Sequence, residues 1–279
     1  MMLLGLESRL TDLFSTCKVF HIELPGRYFQ KAKDLPRFTC SVVMLHNMRK
    51  RILCCLTIVM LLAFAPVFGV DGSAENLIFP EQSATSYVKL IPIKGMNLNA
   101  FTLCVRAFTD LNRAYSLFSY AAANSNNELL LYAISRFSYD VNIGSKAIRF
   151  QISSAKDGWN HICVTWESKT GLVGLWVNGI PSVRKGLLKS YTIKADGVVV
   201  LGQEQDSVEG SFNVAESFVG EINDVNLWDH ILSSKEIRAI YNQVEVAHGN
   251  VIDWHTVKYT LAGYVVVEKI QQYSNNQNN

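Results

Sequence analysis

The stretch His161-Ile162-Cys163-Val164-Thr165-Trp166-Glu167-Ser168 decides how the rest of the chain is read. Side chains of an extended strand alternate between its two faces, so Ile162, Val164 and Trp166 share one side and His161, Cys163 and Thr165 the other. The same alternation recurs in residues 101–107, where Phe101, Leu103, Val105 and Ala107 form an apolar face and Cys104 lies opposite. Each cysteine thus sits across from its strand's aliphatic face, an arrangement that allows a bridge between two strands of one sheet. Further strands follow the same logic. Residues 172–177 and 180–183 flank Asn178-Gly179, the pair preferred by a type I′ hairpin turn. Residues 198–201 (Val-Val-Val-Leu) are a buried-strand run, and Asp253-Trp254 with residues 259–267 supply the last strands. Short runs rich in Val, Ile, Tyr, Phe and Thr, separated by turn residues, describe a β-sandwich. One helix interrupts them: Ser233 caps it, Glu236 completes a capping box, and Ile237, Ile240 and Tyr241 share a face.

Composition sets the limits on function. The 279 residues are 49% hydrophobic, enough for a sizeable core. The net charge of +2 hides an asymmetry: residues 1–69 carry 9 basic and 4 acidic side chains, whereas residues 70–279 carry 17 and 20. The part with strand patterning is therefore mildly acidic and has no polybasic patch or nucleic-acid motif, which argues against a nucleic-acid binder. From residue 70 onward the cysteines are Cys104 and Cys163, an even count that fits an oxidising compartment.

Residues 1–47 show no sustained periodicity, and are expected to be untranslated or disordered. Arg49-Lys50-Arg51 then precedes an apolar run, residues 52–70, interrupted by Pro66. A basic flank, an apolar segment, and Val67 and Gly69 at the −3 and −1 positions of a cut make residues 48–69 a signal peptide. It lies late in the chain, so two readings stand: translation from Met44 or Met48, or a signal anchor, since about 18 apolar residues can span a bilayer. Residues 70–279 form the folded domain, with a polar, Asn/Gln-rich tail from about residue 271 expected to be disordered. No Asn-x-Ser/Thr sequon occurs.

Glu204, Asp206, Glu209 and Glu216 crowd into thirteen residues directly after a strand. Spacing alone leaves two readings open, a solvated acidic loop or a site for a hard cation such as Ca²⁺, which takes 6–8 oxygen ligands. Trp159, Trp166, Trp176, Trp228 and Trp254 read as core, and His161 as structural.

The pattern His-x-Cys-x-Thr-Trp-x-Ser over residues 161–168 is the signature of the pentraxins, the family of C-reactive protein and serum amyloid P component. Residues 76–269 resemble a pentraxin domain almost throughout, including Phe101-Thr102-Leu103-Cys104, Leu201-Gly202-Gln203-Glu204-Gln205-Asp206-Ser207 and Phe218-Val219-Gly220-Glu221-Ile222 with Leu227-Trp228-Asp229. The resemblance implies an all-β fold, a two-sheet antiparallel jelly-roll sandwich with one short α-helix on one face. It also implies one intrachain disulfide, Cys104–Cys163. Closing a loop of about 60 residues stabilises by roughly 3–5 kcal/mol in the chain-entropy model.

The same resemblance implies two calcium ions held by Asn126, Asn127, Glu204, Gln205 (through its backbone carbonyl), Asp206, Asn213 and Glu216. Where the family pattern has Asp-Asn, this chain has Asn126-Asn127, and where it has Glu and Gln, this chain has Asn213 and Glu216. Each replacement keeps an oxygen, while the side-chain charge falls one unit short of the pattern. Calcium binding is expected to be retained and weaker, most so at the ion served by Asn213. Leu130 and Tyr132 match or flank an apolar pocket beside the ions, and Ala147 stands where an acidic residue receives the cationic head of phosphocholine. The expected function is a secreted, calcium-dependent pattern-recognition protein of innate immunity. Its ligands would be phosphate-bearing or anionic groups (phosphoethanolamine, phosphocholine, carbohydrate) on microbes or damaged cells, displayed on a homopentamer. Complement components or Fc receptors are the implied effector partners. Tyr241 matches a complement-engaging position, but the aspartate of that surface aligns with Asn178. Two alternatives accompany this reading: a membrane-tethered pentraxin with the same domain, and a glycan-active enzyme using Glu204 and Asp206 as acid and base. No Gly-x-Ser-x-Gly nucleophile motif occurs.

Overall fold

The computed structural model describes residues 70–71, 75–153, 155–244 and 246–269. The expectations for residues 1–47, for the leader at 48–69 and for the tail from 271 lie outside them. Among the described residues no helix is long and apolar enough to cross a membrane.

Two antiparallel sheets face each other. The first joins β1 (Val70–Asp71), β15 (Lys258–Ala262), β3 (Tyr87–Ile91), β13 (Val198–Leu201), β5 (Tyr115–Ala122), β6 (Ser125–Ser135), β7 (Ser138–Ile143) and β8 (Lys146–Gln151) in that order. The second runs β11 (Ile180–Pro181), β10 (Leu172–Val177), β9 (Asn160–Glu167), β4 (Ala100–Phe108), β14 (Gly220–Trp228), β2 (Glu75–Phe79) and β16 (Val266–Lys269), with β12 (Lys185–Gly186) also on β10. The two-sheet sandwich, the disulfide and, among the described residues, the one short α-helix all follow the sequence reading. Phe101, Leu103, Val105, Ile162, Val164 and Trp166 point between the sheets and are buried there with Leu77, Phe118, Leu131 and Tyr259. Period-2 alternation is what lets two neighbouring strands supply one apolar layer.

The opposite faces of β4 and β9 make a second, smaller core. Cys104 pairs directly with Cys163 across the two strands, and their sulfurs are bonded. Over them lies the helix α1 (Ser234–Tyr241), burying Ile237 and Ile240 with Trp176, Trp228 and Leu232. The capping box is present: Ser233 accepts from the Glu236 amide while Glu236 accepts from the Ser233 amide at 2.7 Å. At the other end Arg106 donates to the carbonyls of Ile240 (2.8 Å) and Tyr241 (3.2 Å), supplying positive charge where the helix dipole is negative.

Four details differ from the sequence reading. The hairpin turn has φ of 52° at Asn178 and 74° at Gly179, as a type I′ turn requires, but its return limb pairs only over Ile180–Pro181 rather than 180–183. Beyond Pro181 the Ser182 amide still bonds to the Leu175 carbonyl at 2.7 Å, but the Leu175 amide turns to the Ser182 hydroxyl instead of its carbonyl, so the ladder ends there. Asp253-Trp254 forms a turn, not a strand, because the amides of Thr256 and Val257 both bond to the Asp253 carbonyl. The last strand segment splits into β15 and β16 around Gly263-Tyr264, and the two halves belong to different sheets. Trp159 is half-buried against Phe108 rather than in the core.

Candidate functional site

The loop after β13 crosses the outer face of β5, and alternation along it sorts the side chains. Gln203 and Gln205 turn inward. Gln203 donates to the carbonyls of Ser83 (2.6 Å) and Ser86 (2.9 Å). Gln205 donates to the Ser119 carbonyl (2.9 Å) and the Val198 carbonyl (3.0 Å), and its own Oε1 accepts from the Glu209 amide. Both glutamines are buried, with their amides committed to the backbone. Glu204 and Asp206 are thereby presented on the other side of the loop. Gln205 has no side-chain atom left to offer a ligand, which leaves its backbone carbonyl.

Glu216 arrives from the short 3₁₀ turn Val214–Glu216. A carboxylate oxygen from each of Glu204, Asp206 and Glu216 lies within 4.8 Å of the others. Three acidic groups this close raise one another's cost of ionisation. The result shows at Glu204, whose carboxyl is pushed up to about 7 by burial, then by the charges of Asp206 and Glu216, against a hydrogen bond from Asn127. Asn126 and Asn127, at the start of β6, approach from the other side. Asn126 donates to Asp206 at 3.4 Å. Asn127 donates to Glu204, while its side-chain oxygen is buried without a donor. A buried acceptor left unpaired costs free energy unless something positive or protic meets it. Asn213 is exposed on the cavity rim, and its oxygen already accepts from the Ala215 amide at 3.1 Å. Glu209 departs from the acidic cluster suggested by spacing: it pairs with Lys89 at 2.6 Å and accepts from the Tyr87 hydroxyl.

Beside these oxygens opens a cavity of about 380 Å³ whose floor includes Leu130, Tyr132 and Ala147. Leu130 and Tyr132 are two apart on β6 and share its outer face, as their spacing predicts. The Tyr132 hydroxyl donates to Glu216 at 3.2 Å, tying the apolar floor to the acidic cluster. Burial and the neighbouring carboxylates of Glu216 and Glu204 push its phenol well above the ordinary range. Ala147 puts no charge at the cavity wall. Sequence reasoning missed Asp140 and Asn142, which also line it. Their signal was legible: in β7, Tyr139, Val141 and Ile143 face the core, so Asp140 and Asn142 face outward. Asp140 carries a two-toothed ion pair from Arg149 on β8, both contacts 2.7 Å.

The oxygens of Asn126, Asn127, Glu204, Asp206 and Glu216 therefore gather at one end of a partly apolar cavity. All are hard donors of the kind Ca²⁺ accepts, and an unpaired amide oxygen beside closely spaced carboxylates is a set of residues that fits such an ion. His161 stands elsewhere, as expected. It is buried against Cys163 and stacked on Tyr241, and burial together with Arg106 pushes its imidazole down to about 3. Asn178 is also buried, its side chain accepting from the His161 amide and donating to Asn160.

A family model described as the Pentaxin family matches residues 75–269. The chain belongs to the pentraxin family. Among pentraxins, the mucosal pentraxin of Bos taurus is 45% identical over 213 residues, covering 75% of this chain and 95% of that one. The serum amyloid P-component of Sus scrofa is 42% identical over 198 residues, 71% of this chain and 88% of its own. In structure, the native heptameric SAP-like pentraxin from Limulus polyphemus superposes with a TM-score of 0.63 at 25% identity, covering 72% of this chain and 98% of that one.

Proposed function

We propose that this pentraxin is a secreted, calcium-dependent recognition protein that captures phosphate-bearing or anionic groups on microbial or damaged-cell surfaces, in the service of innate immunity. The observation that carries the reading is the buried, unpaired oxygen of Asn127 beside three carboxylates, of which Glu204 is pushed up to about 7 by burial and then by the charges of the other two. Asn126, Asn127, Glu204, the Gln205 carbonyl, Asp206 and Glu216 would hold the first ion. Asn213 with the same carboxylates would serve a second, weaker one, because its oxygen is already engaged by Ala215. Calcium at this place supplies positive charge and open coordination positions for a ligand's phosphate or carboxylate oxygen.

The protein's own groups do the rest. Gln203 and Gln205 hold the loop rigid, so little ordering entropy is lost on binding. Leu130 and Tyr132 offer an apolar floor for the remainder of the ligand. With Ala147 in place of an acidic side chain, and the carboxylate of Asp140 already engaged by Arg149, a quaternary ammonium finds no free anionic partner on that wall, which favours phosphoethanolamine or an anionic carbohydrate over phosphocholine. Individually weak sites gain orders of magnitude in avidity on a repetitive surface when several copies are joined. A cyclic pentamer is the arrangement implied by the resemblance, and the Limulus relative is a heptamer.

The experiment is capture of the purified protein on immobilised phosphoethanolamine, phosphocholine and an anionic glycan, with calcium and then with chelator. Capture that requires calcium and ranks phosphocholine below phosphoethanolamine supports the proposal. Binding indifferent to chelator, or none to any of the three, overturns it.

A further inference from the structure

On the other sheet, remote from the acidic cavity, three side chains converge that the function above does not use. His248, Asp253 and His255 each place a ligand-type atom within 4.8 Å of the other two. The carboxylate stands between the imidazoles: Nδ1 of His248 lies 3.1 Å from Oδ2, and Nδ1 of His255 lies 3.4 Å from Oδ1. The rings are neighbours, with centroids 5.0 Å apart.

The scaffold beneath them is rigid. Asn226 on β14 is fully buried, and its side-chain oxygen accepts from the Gly249 amide (3.3 Å) and the Trp254 amide (3.1 Å). One atom thus holds both the residue after His248 and the residue between Asp253 and His255. Leu227 and Ile252 bridge across the same place, so closely that a Cβ on Gly249 would meet the Ile252 carbonyl at 1.8 Å. Asp253 is buried, while the His248 side chain remains 61% exposed, leaving one side of the cluster open to water.

A surface His–Asp hydrogen bond accounts for His248 but not for His255. The Nδ1 of His255 is sealed from solvent and has no hydrogen-bond partner, despite lying 3.4 Å from a carboxylate oxygen. Asp253 Oδ1 also accepts from the His255 backbone amide at 3.1 Å, which holds the ring beside the carboxylate and leaves the buried Nδ1 as the atom without a partner; a cation shared by the two side chains would satisfy it. In a tetrahedral site with ligands at about 2.0–2.2 Å, neighbouring donor atoms are about 3.3–3.6 Å apart; the His255 N···O distance of 3.4 Å falls in that span and the His248 one, 3.1 Å, is slightly shorter. Two borderline imidazoles with one carboxylate make a set suited to Zn²⁺ and poorly suited to Ca²⁺, which prefers oxygen alone.

We propose that His248, Asp253 and His255 form a zinc-class transition-metal site on the opposite sheet from the acidic cavity, with the fourth coordination position open to solvent. The ion ties the segment after α1 to the turn before β15 through three protein ligands.

The test is calorimetric titration of the purified protein with Zn²⁺ in saturating calcium, so that the acidic cavity is not offered to zinc. One zinc per chain is expected, with a Tm raised by several degrees at a hundredfold excess over Kd. His248→Gln and His255→Gln should each weaken zinc at least tenfold, and His230→Gln, at an exposed histidine outside the cluster, should leave it unchanged. The exposure of His248 keeps its variant folded, so loss of zinc there reports on ligation. No zinc heat, wild-type affinity in both the His248 and His255 variants, or abolition by His230→Gln would each overturn the proposal.

Discussion

Replacing Glu204 by Gln should make the calcium-free protein more stable at alkaline pH and leave it unchanged in acid. In the folded protein the Glu204 carboxyl is pushed from 4.5 up to about 7. Between those pH values the folded chain holds a proton that the unfolded chain has released, so stability falls as pH rises. The contribution is fully present below 4.5 and lost above about 7. Left unscreened, the cost of ionising Glu204 in the fold would reach about 3 kcal/mol. The cavity opens to solvent, which reduces this to about 1–2 kcal/mol. Gln keeps the acceptor for the Asn127 amide and removes the charge. For a domain of this size, about 1–2 kcal/mol corresponds to a Tm higher by about 3–6 °C. The assay is thermal unfolding of both proteins in chelator at pH 8 and pH 4. An equal gain at both pH values, or none at pH 8, would refute the reasoning that burial of the Glu204 charge, with repulsion from Asp206 and Glu216, stores this energy.

Three further outcomes follow from other parts of the molecule. Cys104 and Cys163 are 59 residues apart in sequence, so reduction, or substitution of both by Ala, should cost about 4 kcal/mol in chemical denaturation. Ala147→Glu returns an acidic group to the cavity wall and should raise phosphocholine capture relative to phosphoethanolamine, measured on the two immobilised ligands. Ile237→Ala removes a fully buried side chain over the disulfide and should cost about 2–5 kcal/mol, seen as a lower denaturation midpoint, with calcium affinity unaltered.

The parts of the fold written in local patterns were legible. Alternation in residues 161–167 and 101–107 placed Trp166 and Phe101 between the sheets and the cysteines beyond them. Ser233 and Glu236 marked the helix start because a capping box needs only a three-residue spacing. The site was less open to reading. Nothing in the spacing of Glu204, Asp206, Glu209 and Glu216 says that Glu209 turns away to Lys89, since that depends on β3, more than a hundred residues earlier. Pairing Asn127 with Glu204 likewise needs two distant loops to meet, and only resemblance pointed to it. Asp140 and Asn142 were readable from alternation but carried no charge pattern to single them out. His248, Asp253 and His255 went unnoticed because their convergence is made by a tight turn and by Asn226, which no periodicity describes.

The account's central claim is that oxygens from the β6 start and the loop after β13 jointly hold calcium. Calorimetric titration of the purified protein with calcium tests this most directly. The claim predicts saturable heat below millimolar concentration, abolished by Glu204→Gln and weakened by Asn127→Ala. No heat at millimolar calcium, or heat unchanged in both variants, would contradict it.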